Sequence, residues 1–395
     1  MCEIIMVGCD LHDKTMLLKV AQGRQAAERW TFANTPPGRQ ALIAWLQERA
    51  RLAGGAQVAF AYEASGQGFG LYDELTAAGF QCHVLAPTKM QRTSAQKKRK
   101  TDEKDAEQIL DLLRAHVLAG AALPDVWIPD AATRDDRELV RARCDLSYKL
   151  SGVKSQIKGL LKRNRVERPE TLGKGWTKSY RAWLRGLASP ASTLGAGARA
   201  ALDSLSSQLQ DLEDEEEKLD RGLAQLSQTP RYRPAVYELL RIRGVGLLTA
   251  MVFLTEIGEL DRFSNRRQLA AFLGLVPSSN ETGQRGDCKG HITRQGPSRV
   301  RRVLCQAAWS TVRGEGPQQA AYQRIVTRNP KRKKVAVVAA MRRLAVRMWH
   351  AGRKARQEVE SGRAIPGGRA HQAPSSLPPD PHPPSPLLCC SGTAS

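Results

Sequence analysis

Aromatic residues are scarce in this 395-residue chain: Phe, Trp and Tyr make up 5%, too few for a protein built on base-stacking platforms. The eight cysteines include no CxxC pair and no Cys/His spacing of the zinc-finger kind; only Cys389 and Cys390 are adjacent. That excludes a zinc ribbon and a disulfide framework. With no signal peptide, it fits free thiols in a reducing, cytoplasmic setting. No apolar run approaches the roughly 18 residues that a membrane helix needs, so no membrane partner is expected. Acids are outnumbered as well: 39 Asp and Glu stand against 61 Lys and Arg, a formal charge of +22. Such a surplus points to a polyanionic partner, most simply nucleic acid.

What is present falls into regions. Residues 4–10 (IIMVGCD), 15–20 and 29–34 read as short strands joined by tight turns, an antiparallel meander. A helix pattern opening on two prolines follows, then the buried-strand run 56–64, a helix ending at Gly79 and another strand. Strands first, then alternating helix and strand, describe an α/β sheet with mixed pairing over residues 1–120. Residues 131–230 carry long charged helical patterns. Leu202, Leu205, Leu209, Leu212, Leu219, Leu223 and Leu226 keep a three-four spacing that Glu216 interrupts, as in a coiled-coil hairpin. The acid cluster DLEDEEEKLD reads as its solvated face. Residues 231–359 form a third, mainly α-helical region, and 361–395 is a Pro-rich tail expected to be disordered.

Four acids stand out. Asp10 closes the first strand and Glu63 closes an apolar run, where an unpaired charge is expensive. Asp102 and Asp105 begin a helix directly behind the densest cationic run, Lys97, Lys98, Arg99 and Lys100. Taken alone, that helix start is a capping turn with Thr101 or Asp102 as N-cap. Together, four carboxylates from three segments are a donor set for one or two Mg²⁺ (or Mn²⁺) ions, which prefer hard oxygen ligands. The cations at 97–100 would draw a phosphate backbone toward them.

The stretches VGCDLHDK, AYEASGQGFGLYDEL and KTDEKDAEQI resemble, in order and spacing, the N-terminal domain of DEDD transposases of the insertion sequence 110 family, to which the Piv-like invertases also belong. The resemblance covers residues 1–119 and again about 236–350. It implies a RuvC-like, RNase-H-type fold with Asp10, Glu63, Asp102 and Asp105 as the metal-binding tetrad. It further implies a recombinase that cuts and rejoins double-stranded donor and target DNA through a hydroxyl nucleophile, with a non-coding bridge RNA as guide. The coiled coil suggests a homodimer or homotetramer.

The second block, LAAFLGLVPSSNETGQRGDCKGHITRQGPSRVRRVLCQAAW, is similar to the family's C-terminal transposase domain. The family's nucleophilic serine stands directly before the glycine that Gly283 matches; here the residue is Thr282. Three readings stay open: Thr282 attacks, Ser278 or Ser279 has taken the role, or the copy only binds nucleic acid. A water-using junction nuclease is the rival enzyme. Lys289, Arg294, Arg299, Arg301 and Arg302 lie among glycines that allow close approach to phosphates. Gly244 and Gly246 resemble a helix-hairpin-helix turn, with a packing turn as the alternative. Lys331, Arg332, Lys333 and Lys334 lead a basic helix suited to nucleic-acid contact, and His291 is a weaker acid/base candidate.

Overall fold

The computed structural model describes residues 4–90, 101–173, 175–279 and 289–362. The chain divides into two compact units, one ending at Pro129 and the other starting at Asp130. Lys97, Lys98, Arg99, Lys100, Thr282 and the tail from 363 onward lie outside the described residues, as do the side chains of Ser279 and Lys289.

In the first unit, strands β1 (Ile4–Leu11), β2 (Thr15–Gln22) and β3 (Glu28–Ala33) form the expected antiparallel meander. Helix α1 (Pro36–Leu52) is started by Thr35, whose hydroxyl accepts from the Gly38 amide, and by two prolines that lack the amides a first turn cannot use. Strand β4 (Gln57–Glu63) then pairs parallel to β1. Helix α2 (Gly70–Ala77) leads to β5 (Gln81–Leu85), parallel to β4. The result is a five-stranded mixed sheet of order β3-β2-β1-β4-β5.

Strand alternation divides the sheet's two faces. Ile5, Val7, Cys9, Val58, Phe60 and Tyr62 pack with Leu42 and Leu46 of α1 and Leu71 and Leu75 of α2. On the other face Met6, Ala21, Ala59 and Ala61 make a floor of mostly small side chains. Helix α3 (Asp102–Ala119) lies on it through Ile109, Leu110 and Leu113. Gly8 completes that floor. A Cβ at Gly8 would overlap the Ala106 carbonyl oxygen and the backbone of Leu110, so the absent side chain is what lets helix backbone rest on strand backbone.

Among its described residues the second unit is mostly helical, with one two-stranded hairpin. Helices α4 (Ala131–Arg163) and α6 (Ala196–Ser227) pack along each other, with α5 (Lys178–Ala188) against α6. Leu146, Leu150, Ile157, Leu202, Leu209 and Tyr180 fill the core they share. A second core gathers α7 (Arg233–Leu240), α8 (Leu247–Ile257), α9 (Arg266–Phe272), α10 (Ser298–Arg313) and α12 (Lys333–Glu360). Phe253, Leu304, Leu344 and Trp349 lie at its centre, joined by Val140, Cys144 and Leu223 from α4 and α6. The hairpin of β6 (Pro277–Ser279) and β7 (Lys289–Ile292) precedes α10, and α11 (Pro317–Arg328) precedes α12.

The break in the leucine series has a physical reason. Arg143 of α4 reaches Glu216 at 2.8 Å and Asp220 at 2.6 Å, and Glu213 meets Arg181 at 2.7 Å and Lys154 at 3.4 Å. The expectation of a solvated acidic face therefore holds for Glu215 and Glu217 and fails for Glu213 and Glu216, which turn toward cations of α4 and α5.

Candidate active site

Parity along the strands sets the site. After Met6 and Gly8, Asp10 falls on the α3 face of β1; after Ala59 and Ala61, Glu63 falls on the same face of β4. The parallel register ends at Cys9 opposite Tyr62, so the next residues, Asp10 and Glu63, are neighbours at the carboxyl edge of the sheet. Helix α3 packs on β1 and begins over that edge. Thr101, rather than Asp102, is its N-cap, accepting from the Lys104 amide at 3.4 Å; Asp102 is the first helical residue and Asp105 stands one turn further in.

Two of the four carboxylates, Asp10 and Asp102, come together around His12. Candidate ligand atoms of Asp10, His12 and Asp102 all lie within 4.8 Å of one another. His12 Nε2 is 3.0 Å from Asp10 Oδ2 and 3.4 Å from Asp102 Oδ1. The Asp10 side chain is 15% exposed and Asp102 61%, while Asp105 is buried. Burial pushes the Asp10 pKa above the ordinary carboxylate value. The neighbouring His12 works against that rise, and the negative charges of Asp102 and Asp105 add to it. Oxygen donors that repel one another in this way fit a hard divalent cation, which would relieve the repulsion.

Residues not singled out by sequence hold this geometry. Lys19 Nζ donates to Glu103 Oε1 at 2.6 Å and ties the first turn of α3 to β2. Lys19 sits opposite Gly8 in the β1–β2 register, so it shares the α3 face. His12 follows Asp10 by two residues and keeps its parity, a signal that was present but unread. The turn after β1 is pinned by Asn34, whose Nδ2 donates to the His12 carbonyl at 2.8 Å and whose amide donates to that of Lys14 at 2.8 Å.

In the second unit the proposed nucleic-acid residues divide by what they already touch. Arg301 Nη1 donates to the carbonyls of Leu273, Gln295 and Gly296 at 3.2, 2.9 and 3.0 Å, clamping the loop before α10. Arg299 Nη2 meets both oxygens of Asp145 at 3.0 and 2.8 Å, and Arg302 stacks on exposed Tyr148 with its guanidinium carbon 4.3 Å from the ring centre. Arg294 is exposed and takes a positive φ of 55°. Lys331 and Arg332, in the short turn before α12, and Lys333 and Lys334, its first residues, are all exposed. Gly244 has φ 82°, and a Cβ there would crowd the Ala307 carbonyl and the Thr311 methyl group, whereas Gly246 caps α8 with open space beside it. Ser278 Oγ donates across the hairpin to the His291 carbonyl at 3.0 Å.

Residues 7–165 match a DEDD transposase profile of the IS110 type, described as "Transposase", and residues 236–324 match "Transposase IS116/IS110/IS902 family". The chain is 30% identical to putative transposase y4qE of Sinorhizobium fredii over 76% of each chain. It belongs to the IS110 family of transposases. It is similar also to the transposase for insertion sequence element IS1533 of Leptospira borgpetersenii, at 27% identity over 63% of this chain and 69% of that one. With the transposase for insertion sequence element IS1111A of Coxiella burnetii it shares 26% identity over 55% and 56%. In this IS110-family transposase all four carboxylates fall inside the first matched range, and residues 244–302 inside the second, whereas Lys331–Lys334 lie beyond it. Membership implies divalent-metal use and DNA as a partner. Among the described residues no helix is long and apolar enough to cross a membrane.

Proposed function

We propose that this transposase cuts and rejoins DNA at a RuvC-like, RNase-H-type centre in which Asp10, Glu63, Asp102 and Asp105 hold one or two Mg²⁺ or Mn²⁺ ions. The observation that supports the reading is the crowding of like charge at Asp10, whose pKa is pushed up by burial and by the charges of Asp102 and Asp105, with His12 opposing the rise. When bound, such ions stabilise negative charge on a reacting phosphate and on the leaving oxygen. The chain's own contribution is to fix the carboxylates on two strands and one helix, with Lys19 and Glu103 holding that helix start in place.

Thr282 supplies the nucleophile. Its hydroxyl oxygen attacks phosphorus and loses its proton, a P–O bond to the next nucleotide breaks, and a DNA hydroxyl leaves protonated. Attack by another DNA hydroxyl on the protein–DNA phosphodiester re-forms DNA and returns the threonine, so no external energy is needed. Ser278 is the weaker choice because its proton already serves the hairpin. A bridge RNA pairs with donor and target, which agrees with few aromatics and many cations on one chain. Residues 1–120 act as the metal domain, 131–230 as the helical region for a homodimer or homotetramer, and 231–359 as the nucleophile domain. The tail 361–395 has no catalytic part, and the protein works in the cytoplasm.

The test is to incubate the full chain with its flanking non-coding RNA, Mg²⁺ and labelled donor and target DNA, then denature and look for DNA bound covalently to protein. An adduct lost in Thr282→Ala and kept in Ser278→Ala establishes the nucleophile. Cleavage to free ends without an adduct replaces the reading with a water-using nuclease. Binding without cleavage, rescued by Thr282→Ser, identifies a copy that has lost its chemistry.

A further inference from the structure

A second cluster of titratable groups lies at the other end of α3. His83 projects from β5, and its Nδ1 is 3.2 Å from Asp125 Oδ2. His116 sits in the last turn of α3, and its Nδ1 is 2.7 Å from the Ala121 carbonyl oxygen. A carboxylate and a carbonyl can only accept, so each Nδ1 carries a proton, and in its neutral form each ring presents Nε2 as a lone pair. This is the arrangement that orients metal-binding histidines, with carboxylate or carbonyl behind and Nε2 in front. The ring centres are 5.4 Å apart. Two imidazoles on one tetrahedral zinc ion, with bonds of about 2.0 Å, place their centres roughly 5 Å apart.

Backbone hydrogen bonds hold both rings in place. Residues 124–126 run along β5, with the Ala86 amide donating to Pro124 and the Val126 amide to Val84, each at 2.8 Å, which places Asp125 beside His83. Gly120, in the left-handed conformation, ends α3 and turns Ala121 back toward His116. His83 is 22% exposed, open enough for an ion and its waters.

We propose that His83 and His116 form a binding site for a borderline divalent transition ion such as Zn²⁺, with Asp125 orienting His83 and water completing the coordination. Imidazole nitrogen selects this class over Mg²⁺, which the oxygen-rich cluster at Asp10 prefers. Fourteen residues of helix separate Asp102 from His116, about 21 Å at the helical rise. The ion would therefore clip the far end of the helix that presents Asp102 and Asp105, and it is a separate site from the acids.

The test uses the full chain stripped with chelator and kept in saturating Mg²⁺, titrated with Zn²⁺ against a chromophoric competitor. Thiols contribute equally in every variant, so differences isolate the histidines. Wild type is expected to take up one equivalent more than His83→Ala and His116→Ala, and Asp10→Asn is expected to retain that equivalent. Asp125→Asn keeps both rings and should weaken uptake about tenfold or more. Zn²⁺ should raise the melting temperature of wild type more than that of His116→Gln, which guards against a misfolded alanine variant. Equal uptake and equal melting shifts in wild type and the histidine variants would overturn the proposal and leave an edge-to-face pair of rings. Loss of DNA cleavage without change in zinc uptake bears on the acids alone.

Discussion

Around Asp10 carboxylates face carboxylates; around Glu216 they face guanidinium groups. Both sets are partly buried on helix-packed surfaces, yet the physical outcomes differ. In the helical region Arg143 spans Glu216 and Asp220, so charge is neutralised within the fold and serves packing. At the sheet edge Asp102 and Asp105 add negative charge to that of Asp10 and His12 opposes it, so a bound cation would relieve the crowding. Clustered acids thus say little by themselves. The side chains on the element packed against them decide whether they are structure or site.

Breaking this contrast should produce its largest effect at Asp10. Asp10→Asn is expected to lower Mg²⁺-dependent DNA cleavage on the order of a thousandfold, while the metal-free protein melts no lower than wild type because a repulsive charge has gone. A variant that loses activity only through unfolding would remove Asp10 from the site. Gly8→Ala comes next. The new methyl group forces α3 away from β1, which should cost about 2–3 kcal/mol in denaturant unfolding and weaken Mn²⁺ binding measured by calorimetry.

Arg143→Ala should cost about 2 kcal/mol, since it strands Glu216 beside Asp220, and leave Mn²⁺ binding unchanged; altered metal affinity there would erase the distinction between the two regions. The smallest effect is expected at Asp130, the N-cap of α4. Burial alone would raise its pKa, but the Thr133 amide, Arg231 and the Thr133 hydroxyl lower it to about 2. Its folded value thus lies below its unfolded one. The stabilisation is full above the ordinary 3.8 and disappears as the pH falls through about 2. Asp130 is largely solvated, so Asp130→Asn should cost about 1 kcal/mol or less at neutral pH, with the difference from wild type vanishing in acid melts near pH 2.

Much of the first unit is legible in the sequence alone. Apolar runs of strand length located β1, β4 and β5, and the abrupt acids closing two of them pointed to Asp10 and Glu63. The mixed sheet followed from strands preceding helix–strand alternation. Less legible were features that depend on register. Lys19 is an ordinary lysine until the β1–β2 pairing sets it opposite Gly8, where it can reach Glu103. His12 needed the parity argument extended one step past the strand. In the helical region Glu216 looked like an interruption because its partner Arg143 lies 73 positions earlier in the chain (216 − 143), a separation that no local pattern encodes. Arg301 read as a phosphate ligand, but its three carbonyl partners show that a basic residue beside glycines can equally be a loop clamp.

Gly8 carries one last consequence, for anyone wishing to make this protein hardier. Glycine inside a strand costs roughly 0.5–1 kcal/mol against alanine through backbone freedom in the unfolded chain, which makes strand glycines natural targets for thermostabilisation. Here that route is closed, because the space a methyl group would take is filled by the backbone of α3. Selection for sturdiness at this position would work directly against the spacing of the helix that brings two of the four acids to the sheet.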